Sequence, residues 1–107
     1  MRIAIAAGAP DTDADVAANA ARAPYYLIFN VDGRLHAAPA NPLAAGGHPA
    51  GPEAARFLAG QGVGLVVAGE FGQHFLDALE AHGIRHAQET GRVADVIARL
   101  AARPEER

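Results

Sequence analysis

Gly46-Gly47-His48-Pro49-Ala50-Gly51-Pro52 and Val63-Gly64-Leu65-Val66-Val67-Ala68-Gly69-Glu70-Phe71-Gly72 decide how this chain is read. Each stretch carries a glycine-rich turn in front of a helical pattern. The second turn follows a continuous apolar run, the mark of a strand buried on both faces. After the first turn, Pro52 suits the first helical position and Glu53 the first turn. Ala54, Ala55, Phe57, Leu58 and Ala59 follow, and Gly60 and Gly62 stop the helix. From about Gly72 to His82, Phe75, Leu76 and Leu79 recur at spacings of three and four, and Gly83 closes this second helix. A helix start presents unpaired N–H groups and partial positive charge, so both turns are candidate sites for an anion or the polar edge of a cofactor. Each has a histidine within reach, His48 and His74.

Working back toward the start, Tyr25-Tyr26-Leu27-Ile28-Phe29-Asn30-Val31 is the strongest strand signal, rich in aromatic and branched residues. Asp32-Gly33 reads as a two-residue hairpin turn. It leads into a return strand from Arg34 to about Ala40, with Leu35 expected to face the core and His36 to face outward. Asn41-Pro42 ends that strand. Ile3 to Ala7 is a short apolar run ending at Gly8-Ala9-Pro10, as a buried central strand would be. Asp11-Thr12-Asp13-Ala14-Asp15 resembles the opening of a calcium loop. Val16 stands where such a loop needs glycine, however, and Arg22 where it needs a bidentate glutamate. Residues 9–21 and 43–50 have no apolar period and read as mobile loops.

Toward the end of the chain, Ile84 to Gln88 reads as a last short strand. Thr90 is placed to cap a final helix with apolar positions Val93, Val96, Ile97 and Leu100. The order is β-β-β-α-β-α-β-α, which implies an α/β domain with a mixed five-stranded sheet flanked by helices. Strands Ile3–Ala7, Val63–Ala68 and Ile84–Gln88 are expected to be parallel, with Tyr25–Val31 antiparallel to its hairpin partner. Residues 1–102 form one domain in this reading, and 103–107 a frayed tail.

Composition removes whole classes of function. The chain has 107 residues, no cysteine and a formal net charge of −3. Thiolate metal sites, disulfides and cysteine nucleophiles are therefore excluded. Any metal must be held by histidine, carboxylate or backbone groups. Alanine accounts for 27 residues, which calls for a closely packed core, and every basic residue is arginine. No basic stripe marks a nucleic-acid surface. No membrane or signal segment is evident, so the chain reads as cytoplasmic.

Several of these features in order resemble the dinitrogenase iron–molybdenum cofactor biosynthesis family. They are the Ile3-Ala4-Ile5-Ala6 strand, Arg22-Ala23-Pro24-Tyr25-Tyr26-Leu27-Ile28 followed by Val31-Asp32-Gly33, and then Asn41-Pro42. The Gly46–Gly51 turn and the run from Val63 to Gly72 complete the set. The resemblance covers about Met1 to Leu100. It implies a ribonuclease-H-like fold and a small carrier domain that binds an iron–sulfur or iron–molybdenum-type cluster, or a precursor, without catalysing a reaction. The implied partners are that metal cofactor and a nitrogenase or cluster-assembly protein, with neither nucleic acid nor membrane. Many relatives carry His-Phe-Gly before Arg-Ala-Pro, whereas Asn19-Ala20-Ala21 stands here.

The candidate cofactor-binding residues are therefore His48, His74, Arg22, Gly47, Gly51, Gly69, Gly72 and Asn19, with His48 and His74 as the candidate metal ligands. Arg22 either anchors an anionic ligand or pairs with Asp15 or the Asp11 loop. His82 and His86 read as surface residues, because Gly83 breaks the helix between them. There is no serine, and no carboxylate in the first strand where a nuclease of this fold would place a metal ligand, so no catalytic set is expected. Two alternatives to a carrier remain open. One is a regulatory or interaction module that has lost the cofactor site. The other is a phosphate- or nucleotide-binding domain, although neither turn has P-loop or GxGxxG spacing.

Overall fold

The computed structural model describes residues 1–45 and 50–101. Five strands and three helices follow the expected order: β1 (Arg2–Ala7), β2 (Tyr25–Asn30), β3 (Leu35–Ala37), α1 (Gly51–Gly60), β4 (Val63–Ala68), α2 (Gln73–Ala81), β5 (Arg85–Gln88) and α3 (Val93–Ala101). The sheet order is β3-β2-β1-β4-β5. Strands β1, β4 and β5 run parallel, and β2 is antiparallel to both β1 and β3. Gly46, Gly47, His48 and Pro49 of the first turn, and the 103–107 tail, lie outside the described residues.

The central strand explains the layering. From Ile3 to Ala7 every residue of β1 is buried, because helices cover both sheet faces. On one face Ala4, Ala6, Tyr26, Ile28 and Val66 meet Ala54, Ala55 and Leu58 of α1 and Phe75 and Leu79 of α2. On the other, Ile3, Ile5, Leu27, Phe29 and Val67 meet Val93, Val96 and Ile97 of α3. The alanines of β1, α1 and α2 let the backbones of sheet and helices approach closely, which is where this composition places its packing.

Several local expectations are corrected. The hairpin loop is longer than Asp32-Gly33 alone: the Gly33 N–H donates to the Asn30 carbonyl and the Asn30 N–H to the Arg34 carbonyl, both at 2.9 Å. Gly33 supplies the left-handed residue with φ of 91°. Three residues thus join the strands in the type I turn plus glycine bulge pattern. The resulting register pairs Leu35 with Phe29 at the sheet edge. Leu35 is therefore 46% exposed, not in the core. Leu76 is only half-buried, and the buried face of α2 is instead formed by Phe75 and Leu79 with Ala78 beside them.

The segment 9–21, read as a solvated loop, is woven into the domain. The Ala17 N–H donates to the Ala6 carbonyl and Val16 N–H to the Gly91 carbonyl, each at 2.8 Å, and Ala20 is buried. Nor does Thr90 start α3, which begins at Val93. The Val93 and Ala94 N–H groups donate to the carbonyls of Ala14 and Thr12, both at 2.9 Å. A helix end needs acceptors for its first N–H groups, and here a distant stretch of main chain supplies them.

Candidate functional site

Helices α1 and α2 begin side by side. The α1 N-cap position is Ala50 and that of α2 is Gly72, and neither helix start has a side-chain cap. A Cβ on Gly51 would lie 2.9 Å from the Phe75 nitrogen and 3.1 Å from the His74 carbonyl carbon. The missing side chain at Gly51 is what lets one helix start touch the other. Two positive dipole ends thus face the same space.

That space is an open cleft of about 600 Å³, lined on one side by Ala50, Gly51 and the stretch from Glu70 to Phe75. Its other side is Ala18, Asn19, Ala21 and Arg22. The Gly69 N–H donates to the Ala17 carbonyl at 2.9 Å, Glu70 N–H to Ala18 at 2.7 Å, and Ala20 N–H to Glu70 at 3.2 Å. This short ladder extends β4 and fastens the Ala18–Arg22 wall to it. A Cβ at Gly69 would meet the Ala18 Cα at 3.0 Å.

A buried polar brace holds the same wall from behind. Apart from the hydroxyl of Tyr26, Asn41 is the one buried polar side chain among the described residues. Its Nδ2 donates to the carbonyls of Ala21 and Ala23, both at 2.9 Å, and its Oδ1 accepts the Leu43 N–H at 2.9 Å. The Tyr26 hydroxyl donates to the Ala20 carbonyl at 2.6 Å. Burial holds this phenol well above the ordinary tyrosine range, so it remains a donor. At the cleft rim the Asn19 Oδ1 accepts the Arg22 N–H at 3.1 Å, and Arg22 Nη1 donates to the Leu43 carbonyl at 3.2 Å.

Of the candidate residues, Asn19, Arg22, Gly51, Gly72 and His74 come together on the cleft. Gly69 does not line it and acts behind the wall. Gly47 and His48 are outside the described residues, so the paired approach of His48 and His74 is not seen. His74 is exposed in the first turn of α2. His82 lines a separate groove between α1 and α2, together with His74. His36 and His86 are exposed on their strands. Arg22 forms neither of the expected pairs with Asp15 or Asp11 among the described ion pairs.

Residues that sequence reasoning passed over are Asn41 and Tyr26 in the brace and Glu70 and Phe71 on the cleft. The Phe71 ring stacks on Phe75 at 6.0 Å between centroids and meets His86 edge-on at 5.0 Å. One rim therefore combines an aromatic wall with a carboxylate.

The donor set decides what the cleft can hold. Among the described residues no three His, Asp or Glu side chains gather into a metal-binding group. N–H groups of two helix starts, a guanidinium and one imidazole suit an anionic group held at its periphery. A metal–sulfur cluster presents such an anionic rim, and His74 and Glu70 are the described side chains on the cleft able to ligate a metal. The residues present fit a hydrogen-bonded cluster rather than one caged by thiolates.

A family model described as dinitrogenase iron-molybdenum cofactor matches residues 1–103. No functionally curated protein is similar enough in sequence to match. Among solved structures, the apo form of the orange protein from Desulfovibrio gigas is 30% identical with a TM-score of 0.80, over 92% of this chain and 84% of that one. A NifB-like Thermotoga protein (TM1290) of the DUF35 family is 28% identical with a TM-score of 0.77, over 91% and 84%. PH0822 shares the fold at 19% identity and a TM-score of 0.78, over 94% and 90%.

Proposed function

The chain belongs to the dinitrogenase iron–molybdenum cofactor family, and from that membership we propose that it is a non-enzymatic carrier of an iron–sulfur or iron–molybdenum-type cofactor, or of a precursor. The observation that carries this reading is the convergence of two uncapped helix starts with Arg22 and His74 on one cleft. Cargo would be held by N–H groups of the first turns of α1 and α2, by the Arg22 guanidinium and by His74. Gly47 and His48 would complete the first turn, with Gly51, Gly69 and Gly72 shaping the backbone around it. Without thiolates the attachment is exchangeable, which suits handing cargo to a nitrogenase or cluster-assembly protein. No helix among the described residues is long and apolar enough to cross a membrane.

Anaerobic titration with a cluster donor, followed by gel filtration under visible absorption, tests the proposal. Absorbance migrating with the protein at a fixed stoichiometry is expected. Absence of co-migrating absorbance would remove the carrier reading.

One observation favours a second reading, an interaction module of the same fold without cargo. Asn19 stands where the family resemblance leads one to expect histidine, and its side-chain oxygen is engaged by the Arg22 N–H. That oxygen shapes the turn instead of pointing a ligand atom at the cleft. The same titration separates the two readings.

A further inference from the structure

The two edges of the sheet are unlike. Strand β3 has three residues, a register shift against β2, and Pro39 two residues beyond its end. Such features blunt an edge against further pairing. Strand β5 has no proline, and its register against β4 is unbroken from Arg85 to Gln88. Its outer side is paired with nothing among the described residues.

The direction of its backbone groups follows from one bond. The Glu89 N–H donates to the Ala68 carbonyl on β4 at 3.0 Å. Alternate residues of a strand point the same way, so Arg85 and Ala87 also direct their backbone groups to β4. His86 and Gln88 direct theirs to the open edge. In an antiparallel pair of two such edges centred on Ala87, His86 of one chain lies opposite Gln88 of the other and exchanges both hydrogen bonds with it. The twofold axis repeats that pair, and Ala87 meets its own copy on the axis.

Charge fits the same register and no neighbouring one. Arg85 and Glu89 lie two positions either side of Ala87, so each Arg85 faces a Glu89 of the other chain. Glu89 already accepts Arg99 Nη2 at 2.9 Å through Oε1, which leaves its second oxygen for the incoming guanidinium. Beside β5, a hollow of about 560 Å³ is lined by the apolar Leu76 and Ile84 along with Glu80 and Arg85. Leu76 is the helix residue that the core leaves half-exposed. An antiparallel partner brings its own α2 against that hollow. We propose that the β5 edge is a homodimer interface, in which two copies of this chain pair β5 antiparallel about Ala87 into one continuous sheet.

The test uses the full chain, which has no cysteine to interfere. Sedimentation or light scattering across a concentration series is expected to show a reversible dimer. His86→Pro removes an outward N–H and spares the ladder to β4, so it should give a folded monomer. Arg85→Glu places like charges opposite each other and should weaken the dimer about tenfold. Added salt should then strengthen the Arg85→Glu dimer while weakening the wild type, because screening relieves repulsion in one and attraction in the other. Ala87→Cys should cross-link on mild oxidation, since paired Cα atoms about 4.5 Å apart are within disulfide reach. A wild-type chain that stays monomeric, with Ala87→Cys cross-linking no faster than a His36→Cys control on β3, overturns the proposal. Dimerisation that survives both His86→Pro and Arg85→Glu overturns it equally.

Discussion

Gly51 and Phe75 meet backbone to backbone: a Cβ on the first would lie 2.9 Å from the nitrogen of the second. This contact fixes the distance between two helix starts, and with it the width of the cleft they share. Gly51→Ala should therefore force α1 and α2 apart. We expect a loss of about 1–3 kcal/mol in chemical denaturation, typical of an added methyl group with no room. Cargo affinity should fall by more than the stability loss implies, because the first-turn N–H groups no longer converge.

Asn41→Ala should be among the most damaging polar substitutions. It strands the carbonyls of Ala21 and Ala23, each of which now accepts a bond at 2.9 Å. With each buried unsatisfied group costing about 1–3 kcal/mol, the loss should be of the order of 2–4 kcal/mol in urea unfolding. An Asn41→Ala protein as stable as wild type would show that the brace is not what holds the Arg22 turn.

Tyr26 links stability to alkaline pH. Its folded-state ionisation is raised by burial, so the folded chain keeps the phenol protonated where an unfolded chain has begun to lose the proton. Its contribution is complete below the unfolded value near pH 10 and is lost progressively as pH climbs above it. Tyr26→Phe removes the 2.6 Å bond to the Ala20 carbonyl and should cost about 1 kcal/mol at neutral pH. The variant should also show a shallower fall in stability between about pH 10 and pH 11.5. Parallel wild-type and variant curves through that interval would contradict the assignment.

Cargo binding should separate the histidines. His74→Ala is expected to weaken it several-fold, whereas His82→Ala, on the neighbouring groove, should leave it unchanged. His48→Ala should behave like His74→Ala. Asn19→His should strengthen binding by adding an imidazole to the cleft wall. Equal losses from all three alanine variants would indicate metal taken up indiscriminately by surface imidazoles.

Local periodicity made the layers legible. The β2 run and the Val63–Ala68 run were plain because branched and aromatic residues concentrate in them. The helices were plain because Phe75 and Leu79, or Val93, Val96 and Ile97, recur at helical spacing. Half of the cleft was legible too, since glycine turns before helices mark where N–H groups converge. What stayed hidden depends on partners remote in sequence. Asn41 before Pro42 reads as a turn residue, and nothing local reveals that it faces the carbonyls of Ala21 and Ala23. Segment 9–21 lacks a period because main-chain bonds to β1, β4 and α3 hold it, not a buried face. Leu35 stays exposed although it pairs with the core residue Phe29, because β3 is the short outer strand of the sheet, a position no local pattern reveals.

The bonds from Val93 and Ala94 to the carbonyls of Ala14 and Thr12 set an order of events during synthesis. The 12–16 stretch is made early, but the helix start that ties it comes only with Val93 and Ala94. A nascent chain with β1, β2 and even β4 exposed still lacks the helix start that ties residues 12–16 in place. A chain cut before α3 should therefore leave residues 12–16 untied, and limited proteolysis should open it there first.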